Sequence, residues 1–282
     1  MKKQFLTWAI NDSLKNSQEY YLNNNIAINV ADLGYDVISK KYTHILPKDI
    51  HSVLTLSDKV HGALSGIGVD IGGGVGSVSS VVALIDNVER IYCVELTEGC
   101  VTHCHPIVIP HILGSKQNKV ISVVGDFNSI EMPDGSVDFV IAWDALHHSQ
   151  DMTSTLTEAR RVLCEGGHLI VVDRAHNNST TDEEIQAMLD VKYSPTFLTE
   201  NFLPTDKVLT RRDNGEHEYR YSEWELFFGN NGFAIVDNFI VRENHPKNSL
   251  FANDSNYREI FVDFELGGFE RQKVLYLVSK SR

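Results

Sequence analysis

Cysteine, tryptophan and methionine are scarce in this chain of 282 residues, at four, three and four. Four thiols (Cys93, Cys100, Cys104 and Cys164) spread over that length do not make a disulfide framework, so reduced thiols are expected. Positive charge is also in deficit: 25 basic against 38 acidic residues leave a net charge of -13. That balance opposes non-specific binding to nucleic acid or to an anionic membrane. No apolar run is long enough to span a bilayer. The start, Met1 to Ile10, begins like a secretory signal, but Asn11-Asp12-Ser13 cuts the apolar segment short. A soluble, cytoplasmic protein is expected. With 42% hydrophobic and 22% charged residues, the chain has the means to bury a large core, as one decorated domain or as two. Internal repeats and low-complexity tracts are absent.

What stands out instead is one stretch, Gly66-Ile67-Gly68-Val69-Asp70-Ile71-Gly72-Gly73-Gly74-Val75-Gly76-Ser77. A β-branched apolar run carrying one acid passes into a glycine cluster and then into Val78 to Leu84, which reads as strand, tight turn and helix. Glycines there let the backbone turn sharply and approach a ligand, and the helix start offers unpaired N–H groups. Downstream the pattern alternates. Strands are expected at Ile67–Ile71, Ile91–Val94, Val120–Val124, Val137–Trp143 and His168–Val172, and helices at Val78–Ile85, Thr97–Cys104 and Met152–Leu163. Pro106 and Pro110 should kink or end the helix from Thr97. Such alternation argues for a parallel sheet covered on both faces, with ligands at the carboxyl ends of its strands. Residues 1–65 read as a mostly helical cap near the glycine loop and 174–220 as a polar insertion without a clear strand; with the later insertion at about 242–271 they are expected to build the acceptor pocket. Helix Ser222–Asn231 and strand Phe233–Val241 follow, then an insertion at about 242–271 and a last strand, Val274–Val278.

No lysine follows the glycines, which excludes a P-loop, and Ser77 and Ser79 stand where a dinucleotide fingerprint needs its third glycine. The pattern present, Asp70-x-Gly72-x-Gly74-x-Gly76, resembles the first motif of the class I S-adenosylmethionine-dependent methyltransferases. The resemblance runs from Gly66 to about Phe233. Glu95 closes the second strand, where a carboxylate accepts both ribose hydroxyls. Asp126 and Phe127 match the positions that meet the adenine amino group and ring. The run Val137 to His148, including Trp143, resembles the fourth-strand motif of the subgroup containing ubiquinone-biosynthesis and small-metabolite methyltransferases. Glu158 to Gly167 resembles that subgroup's turn into the fifth strand, with Cys164-Glu165 in place of Lys-Pro. The resemblance implies a Rossmann-like, seven-stranded, mostly parallel sheet with the last strand antiparallel, over residues 66–282. It also implies S-adenosylmethionine as cofactor, held by Asp70, Gly72, Gly74, Gly76, Glu95, Asp126, Phe127 and Trp143.

Methyl transfer from a sulfonium is an in-line displacement that asks mainly for alignment and exclusion of water. Where the acceptor is a hydroxyl, a base adds to the rate, and histidine suits neutral pH. His147 and His148, after the fourth strand, are the leading base candidates, and adjacent residues are not expected both to face the site. The structural alternative packs one under the cofactor while the other caps the next helix. His176, His217, Tyr219 and Tyr221 are candidates for acceptor contact, with solvated loop residues as their alternative. The Asp/Asn-Pro-Pro-aromatic sequence of base-methylating relatives is missing, since Asp144-Ala145-Leu146-His147 stands there. A small-molecule or carrier-linked acceptor, methylated at oxygen, is therefore expected, and no nucleic acid. Cys100, His103 and Cys104 share one helical face and raise the question of a soft metal, but no second ligand cluster accompanies them, so no metal is expected. A non-catalytic cofactor-binding module and, more distantly, a nicotinamide-dependent oxidoreductase remain the alternatives.

Overall fold

The computed structural model describes residues 5–32, 41–200, 203, 205–244, 253–265 and 273–281. Among these residues its centre is a nine-stranded sheet. In chain order the strands are β1 (Leu6–Thr7), β2 (Gly66–Ile71), β3 (Val88–Glu95), β4 (Val120–Val124), β5 (Val137–Trp143), β6 (Leu163–Arg174), β7 (Phe233–Glu243), β8 (Arg258–Val262) and β9 (Lys273–Lys280), arranged β1-β4-β3-β2-β5-β6-β9-β7-β8. Every pairing is parallel except those of β9, which runs antiparallel to β6 and β7. The order reverses beside β2, where β3 lies on one side and β5 on the other. That reversal opens a crevice at the carboxyl end of β2.

Period-two alternation decides which side chain meets which layer. In β5, Phe139, Ile141 and Trp143 join one core while Val140 and Ala142 join the other. The first core is covered by α3 (Leu46–Leu54), α4 (Asp58–Ala63), α5 (Ser77–Leu84) and α6 (His105–Leu113) through Ile50, Val53, Val60, Val81 and Ile109. On the opposite face α7 (Met152–Val162) and α10 (Tyr221–Asn230) contribute Leu156, Trp224 and Phe228. Each such fully buried side chain stabilises by roughly 1.5–3 kcal/mol relative to exposure. Gly68 is part of the same packing, since a Cβ there would lie 2.1 Å from the Phe139 ring.

Two strands exceed the seven expected from the sequence, and both are edges. β1 is two residues long and pairs Leu6 with Val123 and Thr7 with Val124. β8 lies inside the insertion at about 242–271, whose residues 245–252 and 266–272 fall outside the described ones. Short edge strands carry little periodic signal, which is why neither was legible. Helix α6 also departs from expectation. A π-helical turn, Cys100–Cys104, precedes it, and the helix runs through both prolines. Pro106 occupies the first turn, where its missing N–H would be unpaired in any case. Before the sheet's main body come α1 (Asp12–Lys15) and α2 (Gln18–Asp32). The 174–220 segment holds α8 (Asp182–Leu189) and α9 (Pro195–Glu200).

Asp70, near the end of β2, is buried beneath the glycine loop. Ser79 Oγ donates to its Oδ2 at 2.6 Å, while Oδ1 has no partner. Burial dominates, and with the nearby Glu95 charge it overcomes the Ser79 hydrogen bond and pushes the carboxyl up to about 7. A carboxyl raised on folding favours the folded state at low pH and loses that contribution as pH rises towards 7 and beyond. Asp70→Asn should therefore gain thermal stability relative to wild type between pH 5 and pH 8. Melting curves in which the difference stays constant across that range would contradict this.

Candidate active site

The glycine loop is fixed by the end of the neighbouring strand. Gly72 and Gly73 N–H both donate to the Val94 carbonyl, at 3.0 and 2.9 Å. Gly72, Gly74 and Gly76 have φ of 76°, 52° and 90°, a left-handed backbone that L side chains rarely adopt. A Cβ on Gly72 would come 2.5 Å from that of Ala145, whereas one on Gly74 would meet no atom and project into open space. Beneath the loop His105 Nε2 lies 2.8 Å from the Gly74 carbonyl, and its Nδ1 lies 2.9 Å from Ser122 Oγ. Burial pushes this imidazole down to about 4, against the Gly74 hydrogen bond, so it is neutral and donates from Nε2.

A cavity of about 240 Å³ opens above the loop. It is lined by Gly72, Gly74, Glu95, Asp126 and Phe127, together with His148. Glu95 Oε2 accepts from Gly74 N–H at 2.9 Å, and Oε1 accepts from Thr97 N–H and Oγ1 at 2.9 and 2.7 Å. Asp126 Oδ1 accepts from the backbone N–H and the side-chain amide of Asn128 at 2.8 and 2.9 Å, an Asx turn that aims the carboxylate. Three further residues from the sequence reading lie off the cavity surface. Asp70 is below the loop, Gly76 caps α5, and Trp143 packs in the core with Phe139 and Ile141.

His147 and His148 diverge. The rings are 4.3 Å apart, but only His148 borders the cavity. His147 is 6% exposed and its Nδ1 lies 2.7 Å from Asp173 Oδ1, while its backbone N–H donates to Oδ2 at 3.2 Å. Burial lowers its proton affinity more than Asp173 raises it. Burial raises Asp173, yet its pairing with His147 Nδ1 and the Arg174 charge outweigh it and hold the carboxyl well below the usual range. The pair is therefore a neutral imidazole donating to a carboxylate. For His148 the balance is opposite. Burial lowers it, but Glu19, with Nδ1 2.9 Å from Glu19 Oε1, and then Glu216 raise it above the ordinary value.

The 174–220 segment stands behind this wall and does not reach the cavity surface among the described residues. His217 N–H donates to the His147 carbonyl at 2.8 Å, and its ring stacks on Tyr219 at 6.1 Å. His176 Nε2 lies 2.6 Å from Glu218 Oε2, in a cluster where Arg174 and Arg211 pair with Glu216 and Glu218. Tyr221 is core, packed on Tyr257. The front wall comes from the N-terminal segment: Leu14, Glu19, Asn23, Ala27 and Tyr42. A cap near the glycine loop is what the sequence leads us to expect of residues 1–65, but it does not single out Glu19, Asn23, Ala27 and Tyr42, because their partners lie far along the chain.

Cys100 and Cys104 also border the cavity, but His103 turns away, its Nδ1 2.7 Å from Thr102 Oγ1 and 3.2 Å from the Gly99 carbonyl. Among the described residues the group spaced to hold a metal is Asp144, His147 and Asp173. Asp144 is paired with Lys273 and His147 with Asp173, so protein cations and donors already occupy those oxygens. No helix among the described residues is long and apolar enough to cross a membrane.

Residues 69–171 match the family model of the methyltransferase domain. No curated protein matches the chain. A Bacillus halodurans C-125 protein provisionally described as a methyltransferase is similar over 84% of this chain and 99% of its own, with TM-score 0.55 and 16% identity. A SAM-dependent methyltransferase from Methanosarcina mazei gives TM-score 0.52 at 16% identity over 80% of this chain and 98% of its own. The geranyl diphosphate C-methyltransferase of Streptomyces coelicolor A3(2) gives 0.51 at 13% identity over 83% and 75%. At such identities the likeness concerns the fold. The strand order and the glycine loop pinned to β3 agree with the domain match: residues 69–171 of this chain form a methyltransferase domain on a Rossmann-like sheet, of the kind that uses S-adenosylmethionine.

Proposed function

We propose that the enzyme methylates an oxygen of a small or carrier-linked acceptor, with His148 as the base that takes the acceptor's proton. The observation that carries this reading is the position of His148 on the wall of the cavity formed by the glycine loop, Glu95 and Asp126. The cofactor, when bound, supplies an electrophilic methyl on its sulfonium. The residues present fit it. Gly74 leaves Cβ-free space, and Glu95 Oε2, which accepts from Gly74 alone, keeps one lone pair for a ribose hydroxyl. Asp126 uses Oδ1 in its turn and keeps Oδ2 for the adenine amino group, with Phe127 against the ring.

Asp70 and Gly76 then shape the loop from below and behind, and Trp143 supports the sheet under it. His176, His217 and Tyr219 act through the wall they buttress, Tyr221 belongs to the core, and Leu14, Glu19, Asn23, Ala27 and Tyr42 close the acceptor side.

Glu95→Ala should weaken S-adenosylhomocysteine binding at least tenfold, the loss of one charged hydrogen-bond acceptor at about 1.4 kcal/mol or more. Equal affinity by calorimetry would remove Glu95 from the cofactor site. With tritium-labelled cofactor and a panel of phenols and hydroxy acids, His148→Ala should lower methyl transfer by roughly 10²–10⁴. A loss of only a few-fold would leave alignment as the whole of catalysis.

A further inference from the structure

The matched domain begins at residue 69, yet the carboxylate nearest His148 comes from the first turn of α2. Glu19 lines the same cavity and is only 9% exposed. Its Oε1 lies 2.9 Å from His148 Nδ1, an ion-pair separation without the alignment of a hydrogen bond, so the contact acts through charge. Its other oxygen packs on Gly215, where a Cβ would come within 2.3 Å. Gly215 has φ 72° and sits in the turn after Arg212–Asn214. A side chain there would displace the carboxylate. Helix α2 is itself tied to the loop after β3. Gly99 N–H donates to Asn24 Oδ1 at 2.9 Å, and Cys104 Sγ–H donates to the Ala27 carbonyl at 3.8 Å. Glu19 is thus held from both sides.

We propose that Glu19 is a positioning residue for methyl transfer, pairing with His148 across the cavity wall and stabilising the imidazolium that forms there. This rests on reading His148 as the base. The acceptor's hydroxyl proton passes to the free Nε2 of His148, and the oxygen lone pair forms the new C–O bond. The electron pair of the breaking C–S bond stays on sulfur, and Glu19 faces the positive charge left on the ring. The other charged or titratable groups around His148 are Glu216 from the 174–220 segment, Arg174 at the end of β6, His147 beside it and His217. Arg174 opposes the imidazolium and is itself paired with Glu216 and Glu218. Glu19 is therefore the carboxylate that distinguishes His148 from its buried neighbour.

The test is a histidine NMR titration of the full-length protein with S-adenosylhomocysteine bound, its His148 signal assigned by loss in His148→Ala. In Glu19→Gln the His148 midpoint should fall by about one pH unit or more, with Glu19→Asp in between, and the acid limb of the methyl-transfer profile should move to lower pH with it. An unmoved midpoint overturns the role of Glu19 whatever the activity shows. A midpoint that moves while His148→Ala retains wild-type methyl transfer overturns the base reading itself, and Glu19 then pairs with a histidine that abstracts no proton.

Discussion

Two successive amides on one carbonyl hold this site together. Gly72 and Gly73 both donate to Val94, the last residue but one of β3, and only a left-handed residue at 72 lets the chain present them in that order. The next amide, of Gly74, then falls on Glu95, the residue after Val94. Loop and acid are thus fixed relative to each other by β2 and β3, which pair from Gly66 to Ile71. Parallel strands bury both faces, so this registry is backed by two apolar layers and not by the loop alone. His105, kept neutral by burial, completes the support by donating to the Gly74 carbonyl from below.

From that constraint the cavity follows. Its floor is the glycine loop, and one side is Glu95 and Asp126 at the ends of β3 and β4. Its far wall joins the 3-10 turn Leu146–His148 after β5 to helix α2. Burial then divides two adjacent histidines into different chemical states. His147 meets Asp173 inside the core and stays neutral, whereas His148 meets Glu19 at the cavity edge and holds its proton more tightly. Adjacent residues on one short turn cannot both face the same space, and here the turn sends one ring inward and one outward.

The sheet interior was legible because buried parallel strands read as continuous apolar runs. Val120–Val124 and Val137–Trp143 coincide with their expected ranges, and β6 extends its expected His168–Val172 at both ends. The edges were not: β1 is too short to show a period, and β8 sits in a polar insertion. Glu95 and Asp126, which line the cavity, could be named from the sequence because strand ends are local features, whereas Asp70, named with them, lies beneath the loop. Glu19 could not, since its partner is 129 residues away (positions 19 and 148) and only packing of α2 against the sheet's carboxyl edge brings them together. Tyr221 reads as a polar loop residue beside Arg220, yet helix α10 turns it into the core against Tyr257.

A crystal structure with S-adenosylhomocysteine bound tests the whole arrangement at once. The expected result has the ribose hydrogen-bonded to Glu95, the adenine beside Asp126 and Phe127, and the sulfur turned towards the space between His148 and α2. A nucleoside seated away from Glu95, or a sulfur facing away from His148, would contradict it.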